Sequence, residues 1–324
     1  MNIKAIQDDI RNEWLQFEEL MKEALWSKSD LLNSINSYLL DNKGKPVRPL
    51  LSLLAARALG NPGRLTIACS VVSEMIHTAT LLHDYVADEA IQRRGVDTVQ
   101  YKYNPAASVL TGDYWLAKAL TLIVSEKNME VMGFFTKAVE ELSEGELFQM
   151  QKASSLDTTE EDYYRIIAQK TSSLFIAAIK SSVFTMGASA EVLSKMEQYA
   201  YHLGLAFQIR DDIFDYTPQL NTGKPTGGDV KEKKLTLPLI AALKAADEDE
   251  REGMLDAIRF AGHEDDSLAE RAFALVEKYN GNAAAQKALE YQCSMAQECL
   301  LSLPESVYRE HLAQLTRYMG SREK

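Results

Sequence analysis

Apolar residues recur three and four positions apart along almost the whole chain, and no segment holds the alternation of a half-buried strand. That period predicts an all-α protein. From Leu65, the residues Cys69, Val72, Ile76, Ala79 and Leu82 step at helical spacing, while Val71, Met75 and Leu81 make other sides apolar too. Such a helix is expected to be buried on most faces. The stretch from about 190 to 215 repeats the design with Leu193, Met196, Ala200, Leu203, Phe207 and Phe214. Both helices end in carboxylates. Ser29 is expected to cap a helix over the thirties, Asn104-Pro105 to start one that ends near Lys127, and Thr158 with Glu161 to form a capping box. Between Thr217 and Lys234 lies the longest region without helical pattern, with Pro218, Gly223, Pro225, Gly227 and Gly228 among four lysines; it reads as a functional loop. Beyond Thr236-Leu237-Pro238 the chain is helical and acidic, with Glu248 to Glu252 and Glu264 to Asp266 at turns or helix starts. No repeat or linker divides the sequence, so 1–324 reads as one domain.

Composition narrows the partners. With 46% apolar and 25% charged residues the chain is a compact globular protein, and 35 basic against 47 acidic side chains leave a net charge of −12. General attraction to nucleic acid or anionic lipid is thereby disfavoured, and an anionic ligand needs a local basic site. Three cysteines (Cys69, Cys293 and Cys299) without metal or redox spacing argue for a reducing, cytoplasmic compartment. The start, Met1-Asn2-Ile3-Lys4 running into Asp8-Asp9, has neither a signal core nor transit-peptide character, and no run of about 18 apolar residues predicts a membrane span.

The chemistry sits at the two acidic helix ends. Asp84 and Asp88 are four residues apart, so their side chains rise from one helix face with Cβ atoms about 6 Å apart. Asp211, Asp212 and Asp215 form a fuller set at i,i+4 and i,i+3 spacing. Crowded carboxylates at the end of an apolar helix call for a neutralising cation, and magnesium suits them because it takes a few carboxylates and leaves room for waters and a substrate diphosphate. Arg93 and Arg94 follow the first pair, and Lys45 and Arg48 lie in Gly44-Lys45-Pro46-Val47-Arg48-Pro49. Point charge and guanidinium fork together suit a diphosphate.

In this order, Gly44-Lys45-x-x-Arg48-Pro49, Leu81-Leu82-His83-Asp84-x-x-x-Asp88-Glu89-x-x-x-Arg93-Arg94-Gly95, Gly112-Asp113-Tyr114 and Phe207-Gln208-Ile209-x-Asp211-Asp212-x-x-Asp215-Tyr216 resemble the trans-polyprenyl diphosphate synthases. The likeness runs from about 40 to 240 and takes in Glu144-Gly145-Glu146, Lys170-Thr171, Gly223-Lys224-Pro225 and Lys234-Leu235-Thr236-Leu237-Pro238. It implies a single large helical bundle around a deep central cavity, the isoprenoid synthase fold, as a homodimer. It also implies head-to-tail condensation of an allylic diphosphate with isopentenyl diphosphate. By motif, Asp84, Asp88, Asp211 and Asp215 would bind three magnesium ions with Asp212 in support. Arg93, Lys170 and Lys224 would contact the allylic diphosphate, with Lys234 a more distant basic position. Lys45, Arg48, His77 and Arg94 would form the isopentenyl site, and Thr171 and Gln208 would lie near the leaving group. Ala79 and Thr80 stand where short-chain members often carry a bulky aromatic, and the run from Ile76 to His83 is most similar to octaprenyl-type enzymes. Products longer than four isoprene units are therefore expected.

One position departs from the family motif Asp-Asp-x-x-Asp: Tyr85 replaces the middle carboxylate. Residue 85 lies about 100° around the helix from residue 84, so the outer pair is expected to hold metal while Tyr85 points aside and tunes the site through its hydroxyl. The alternative is a catalytically impaired partner subunit of a heteromeric synthase. A cyclising terpene synthase fits less well, because the second motif is all Asp and two basic grips are present.

Overall fold

The computed structural model describes residues 3–42, 44, 46–93, 95–217, 226–261 and 266–320. Apart from one two-residue ladder, the described elements are helices, as the sequence period demands. The chain begins with α1 (Ile3–Asp9), α2 (Arg11–Leu25), α3 (Asp30–Asp41), α4 (Val47–Arg57) and α5 (Arg64–Ala87). A small hairpin follows, β1 (Gln92–Arg93) and β2 (Val96–Asp97), then α6 (Val99–Lys102), α7 (Pro105–Ser125), α8 (Met129–Ser155) and α9 (Glu160–Ile167). A π-helical turn (Ala168–Ser172) joins α9 to α10 (Ser173–Thr185), and α11 (Ala190–Asp215) comes next. The rest is α12 (Gly228–Lys231), α13 (Leu237–Ala245), α14 (Glu248–Phe260), α15 (Asp266–Lys278), α16 (Gly281–Cys299), a 3-10 turn (Leu300–Ser302) and α17 (Val307–Gly320).

The chain divides into two compact units. The first comprises Met1–Val139, Leu174–Gln198 and Leu300–Gln314; the second comprises Glu140–Ser173, Tyr199–Cys299 and Leu315–Lys324. In the first, α5 packs against α7, α4 and α2. Cys69, Val71, Val72, Met75, Ile76, Ala79 and Leu82 are all buried, which is why apolar residues appear on most sides of α5. It is the one described helix long and apolar enough to cross a membrane, and two-thirds of its most apolar window is buried inside the protein. Asn36 fixes one end of this core, accepting from Trp115 Nε1 at 2.8 Å and donating to the Leu25 carbonyl at 2.8 Å. In the second unit α13 packs against α16 and α15, with Leu239, Ala242 and Leu289 buried between them.

Caps fall largely where the sequence places them. Ser29 accepts from Leu32 N–H at the start of α3, and Asn104 accepts from Ala107 N–H ahead of Pro105. The capping box is shifted by one residue. It is built from Thr159 and Asp162, not Thr158 and Glu161, because Asp162 also reaches Lys152 at 2.8 Å and this register buries Tyr163, Ile166 and Ile167. Asp247 caps α14, whose first turn holds Glu248, Asp249 and Glu250. Three features have no sequence counterpart: the turn α12 inside the expected loop, the π-helical turn Ala168–Ser172, and the ladder Gln92↔Asp97, Arg93↔Val96. The ladder is too short for alternation to register, and Gly95, at φ +76°, supplies the left-handed residue its turn requires. Of the acidic stretch 264–266, residues 264 and 265 lie outside the described residues.

Candidate active site

In the second unit α11 carries Asp211, Asp212 and Asp215 on its last two turns, in three different environments. Asp211 is exposed, Asp215 half-buried and Asp212 buried at 2% exposure. Both Asp212 oxygens are engaged: Tyr163 Oη donates to Oδ2 at 2.6 Å and Gln208 Nε2 to Oδ1 at 2.9 Å. Gln208 Oε1 accepts in turn from Thr171 Oγ1 at 2.8 Å. This line of bonds ties the π-helical turn, α11 and α9 together. Burial raises the Asp212 carboxyl above the usual range and the charges of Asp211 and Asp215 add to it, while the bonds from Tyr163 and Gln208 pull it back. Asp229 in α12 is raised in the same direction, first by loss of water and then by Asp212 and Asp215. Asp215 holds the start of α12: Gly228 N–H donates to Oδ1 at 3.2 Å, Asp229 N–H to Oδ2 at 3.0 Å, and Gly227 N–H to the main-chain oxygen at 3.0 Å.

Two basic residues of this unit, Lys170 and Lys234, reach the same place. Lys170 Nζ lies 2.6 Å from Glu146 and 3.0 Å from Gln149 Oε1. It projects from the π-helical turn, whose extra residue shifts the helical register locally, a device common at functional sites. A methyl group at Gly204 would lie 2.6 Å from Ser172 Cα, so only glycine lets α11 approach this turn so closely, one turn ahead of Gln208. Lys234 donates its backbone N–H to the Asp229 carbonyl at 2.8 Å and pairs through Nζ with Glu232. Lys170, Gln208, Asp212 and Lys234 line one pocket, together with Tyr163 and Asp229.

In the first unit the other motif closes α5. Asp84 is half-buried and Asp88 exposed. Asp88 N–H donates to the Asp84 carbonyl at 2.8 Å, so the i,i+4 relation holds across the last helical turn. Glu89 then takes a positive φ of 49°, and Ala90 N–H folds back onto the Tyr85 carbonyl at 2.9 Å. The chain thereby enters the hairpin that carries Arg93, whose guanidinium lies over the Tyr85 ring, 5.5 Å from its centroid. Arg48 lies over the buried Phe175 ring at 4.5 Å. Ala79 is buried, and His77 and Thr80 are half-buried, with Thr80 Oγ1 donating to the His77 carbonyl at 2.9 Å.

Three expected site residues, Lys45, Arg94 and Lys224, lie outside the described residues. Tyr163, Gln149 and Asp229 belong to the pocket without having been singled out by sequence. Asp229 sat in the flagged glycine and lysine region, whereas nothing in the Tyr163-Tyr164 pair announces a contact with α11. Among the described residues no three Asp, Glu, His or Cys side chains form a ready-made metal cage. The donor set nevertheless suits a hard divalent cation: it is carboxylate oxygen throughout, and it leaves most of the coordination shell to water and phosphate.

A helical fold in which two core helices end in aspartate motifs, with lysine and arginine beside them, defines an isoprenoid synthase. The chain belongs to the polyprenyl synthetase family, whose pattern matches residues 29–276, and it is a prenyltransferase of that family. It is 36% identical over 310 residues to the all-trans-nonaprenyl-diphosphate synthase (geranyl-diphosphate specific) of Rhodobacter capsulatus, covering 95% of this chain and 94% of that one. To the octaprenyl diphosphate synthase of Escherichia coli K12 it is 32% identical over 325 residues, with both chains covered in full. The polyprenyl synthase of Caulobacter crescentus, solved with calcium and isoprenyl diphosphate, superposes with a TM-score of 0.92 at 29% identity, over 99% of this chain and 98% of that one. The likeness thus reaches well beyond 40–240: the C-terminal helices share it.

Proposed function

We propose that this protein is a trans-prenyltransferase that condenses an allylic diphosphate with isopentenyl diphosphate, head to tail, and releases a medium- or long-chain polyprenyl diphosphate. The observation that carries the reading is the pocket in which Lys170, Gln208, Asp212 and Lys234 meet, with Thr171 bonded to Gln208. Arg93, Lys170 and Lys224 bind the allylic diphosphate, and Lys234 adds positive charge at a greater distance. Lys45, Arg48, His77 and Arg94 bind isopentenyl diphosphate. Asp84, Asp88, Asp211 and Asp215 would hold magnesium, three ions together with the diphosphate, and Asp212 braces the second group from its buried position. A divalent cation held there would supply Lewis-acid charge withdrawal at the diphosphate oxygens.

The chain's own residues do the rest. Cationic side chains hold the leaving diphosphate while the allylic C–O bond breaks and its electron pair departs with oxygen. The isopentenyl double bond supplies the electrons of the new C–C bond. The proton lost in restoring a double bond passes to the diphosphate, which Thr171 and Gln208 help to position. Small side chains at Ala79 and Thr80 leave room for a chain of more than four isoprene units, in line with the octaprenyl and nonaprenyl products named for the relatives. The whole of 1–324 acts as one synthase domain, in a homodimer. Three free, buried cysteines support a cytoplasmic location.

Incubation of the purified chain with labelled isopentenyl diphosphate, allylic primers of several lengths and magnesium should give polyprenyl diphosphates longer than four units. A chain inert with every primer would support the partner-subunit alternative instead.

A further inference from the structure

The replacement of the middle motif carboxylate by Tyr85 has a structural counterpart in the hairpin that follows. Arg93 pairs with Val96 in the ladder, and the hairpin is pinned from several sides: Tyr38 Oη donates to the Asp97 carbonyl at 2.8 Å, Gln92 Nε2 to Asp97 Oδ1 at 2.9 Å, and Thr98 Oγ1 to the Ala90 carbonyl at 2.6 Å. The backbone of Arg93 is therefore fixed, but its long side chain is not fixed by these bonds. Asp84, Asp88 and Glu89 stand close by in sequence, and any of them offers a guanidinium an ion pair that would cancel its charge. Among the described residues Arg93 forms no ion pair; its guanidinium rests over the Tyr85 ring, 5.5 Å from the centroid. An aromatic face attracts a cation through its quadrupole and leaves the N–H donors on the far side and at the edge uncommitted.

We propose that Tyr85 is a positioning residue for substrate: the face of its ring seats the Arg93 guanidinium, uncancelled, for the diphosphate of the allylic primer. The ring rather than the hydroxyl carries the effect, which replaces the expectation that Tyr85 acts through its hydroxyl. The assignment rests on the functional reading above, in which Arg93 contacts that diphosphate. A carboxylate at 85 would hold Arg93 too, but as a charge pair that the incoming diphosphate must compete with.

The test is the KM for geranyl diphosphate and, separately, for isopentenyl diphosphate, in wild type, Tyr85→Phe and Tyr85→Leu, each also combined with Arg93→Ala. Tyr85→Phe should keep the wild-type KM for geranyl diphosphate, because the ring remains. Tyr85→Leu should raise it about 5-fold, the size of one half-exposed cation–π contact, with the KM for isopentenyl diphosphate unmoved. On the Arg93→Ala background Tyr85→Leu should add nothing. A Tyr85→Leu enzyme with unchanged KM, a Tyr85→Phe enzyme as impaired as Tyr85→Leu, or equal rises for both substrates would overturn the assignment while leaving the synthase reading intact. A wild-type chain inert with every primer would overturn the synthase reading, and this assignment with it.

Discussion

Asp211 and Asp212 are neighbours in sequence but meet different conditions: one faces water, and the other has both oxygens occupied by Tyr163 and Gln208. Only the first is free of structural duties among the described contacts. Asp211→Asn should therefore lower turnover at saturating magnesium by at least about 100-fold, close to 3 kcal/mol of barrier, while leaving the thermal midpoint within error of wild type. Asp84→Asn should match it in turnover. Steady-state rates beside a melting curve check both halves, and near-normal turnover in either variant would remove these carboxylates from the metal site. At this scale the sequence was legible where residues act through a local motif. The i,i+4 and i,i+3 spacings of the aspartates needed only helical geometry. Tyr163 was not legible, because its contact with Asp212 joins residues 49 positions apart and depends on how α9 meets α11. Tyr85 was recognised as a departure, yet its partner Arg93 was hidden by a hairpin too short to show a strand pattern.

Among the elements, α9 shows how a near-tie in sequence is resolved. Thr158-Thr159-Glu160-Glu161-Asp162 contains two overlapping capping patterns, and local propensity does not separate them. The contact from Lys152 and the burial of Tyr163, Ile166 and Ile167 select the second. That choice sets the start of the helix that presents Tyr163 to Asp212. The Lys152 hydrogen bond first, with the Thr159 backbone N–H next, lowers the Asp162 carboxyl from 3.8 to about 2. A carboxylate depressed in the folded state stabilises the fold above its unfolded pKa and loses that contribution as pH falls through its folded pKa. Asp162→Ala should thus cost about 1 kcal/mol near pH 6, allowing for solvent screening of a surface pair. The gap to wild type should start to close below about pH 4 and be nearly gone at pH 2. Paired urea titrations across that range measure it; a gap independent of pH would mean that the cap does not use the ionised carboxyl. The π-helical turn leaves no trace in the sequence for a different reason. Its five residues, Ala168–Ser172, carry no composition of their own, and only the close approach of α11 at Gly204 explains why the helix accommodates it.

For the molecule as a whole, the apolar period was enough to give an all-α protein, and the motifs enough to give the family. Product length belongs to this scale because the growing chain has to be housed within the fold. Ala79 is buried at 1% exposure on α5, the helix that packs against α7, α4 and α2. Ala79→Phe should shorten the longest product by at least one isoprene unit and, as overpacking, cost about 1–3 kcal/mol of stability. Chromatographic sizing beside a melting curve separates the two effects. A folded variant with an unchanged product ladder would remove Ala79 from the residues that limit chain length. What the sequence could not reveal is the partition into two units, because neither is a continuous stretch. The boundaries at 139/140, 173/174, 198/199, 299/300 and 314/315 interrupt α8, α11 and α17, separate the first residue of α10 from the rest, and follow no change in composition. That interleaving constrains the protein's birth on the ribosome. The first unit takes its last piece from Leu300–Gln314, so no nascent fragment ending before residue 314 contains it whole, and the N-terminal helices must wait, partly uncovered, while the intervening hundred-odd residues are synthesised.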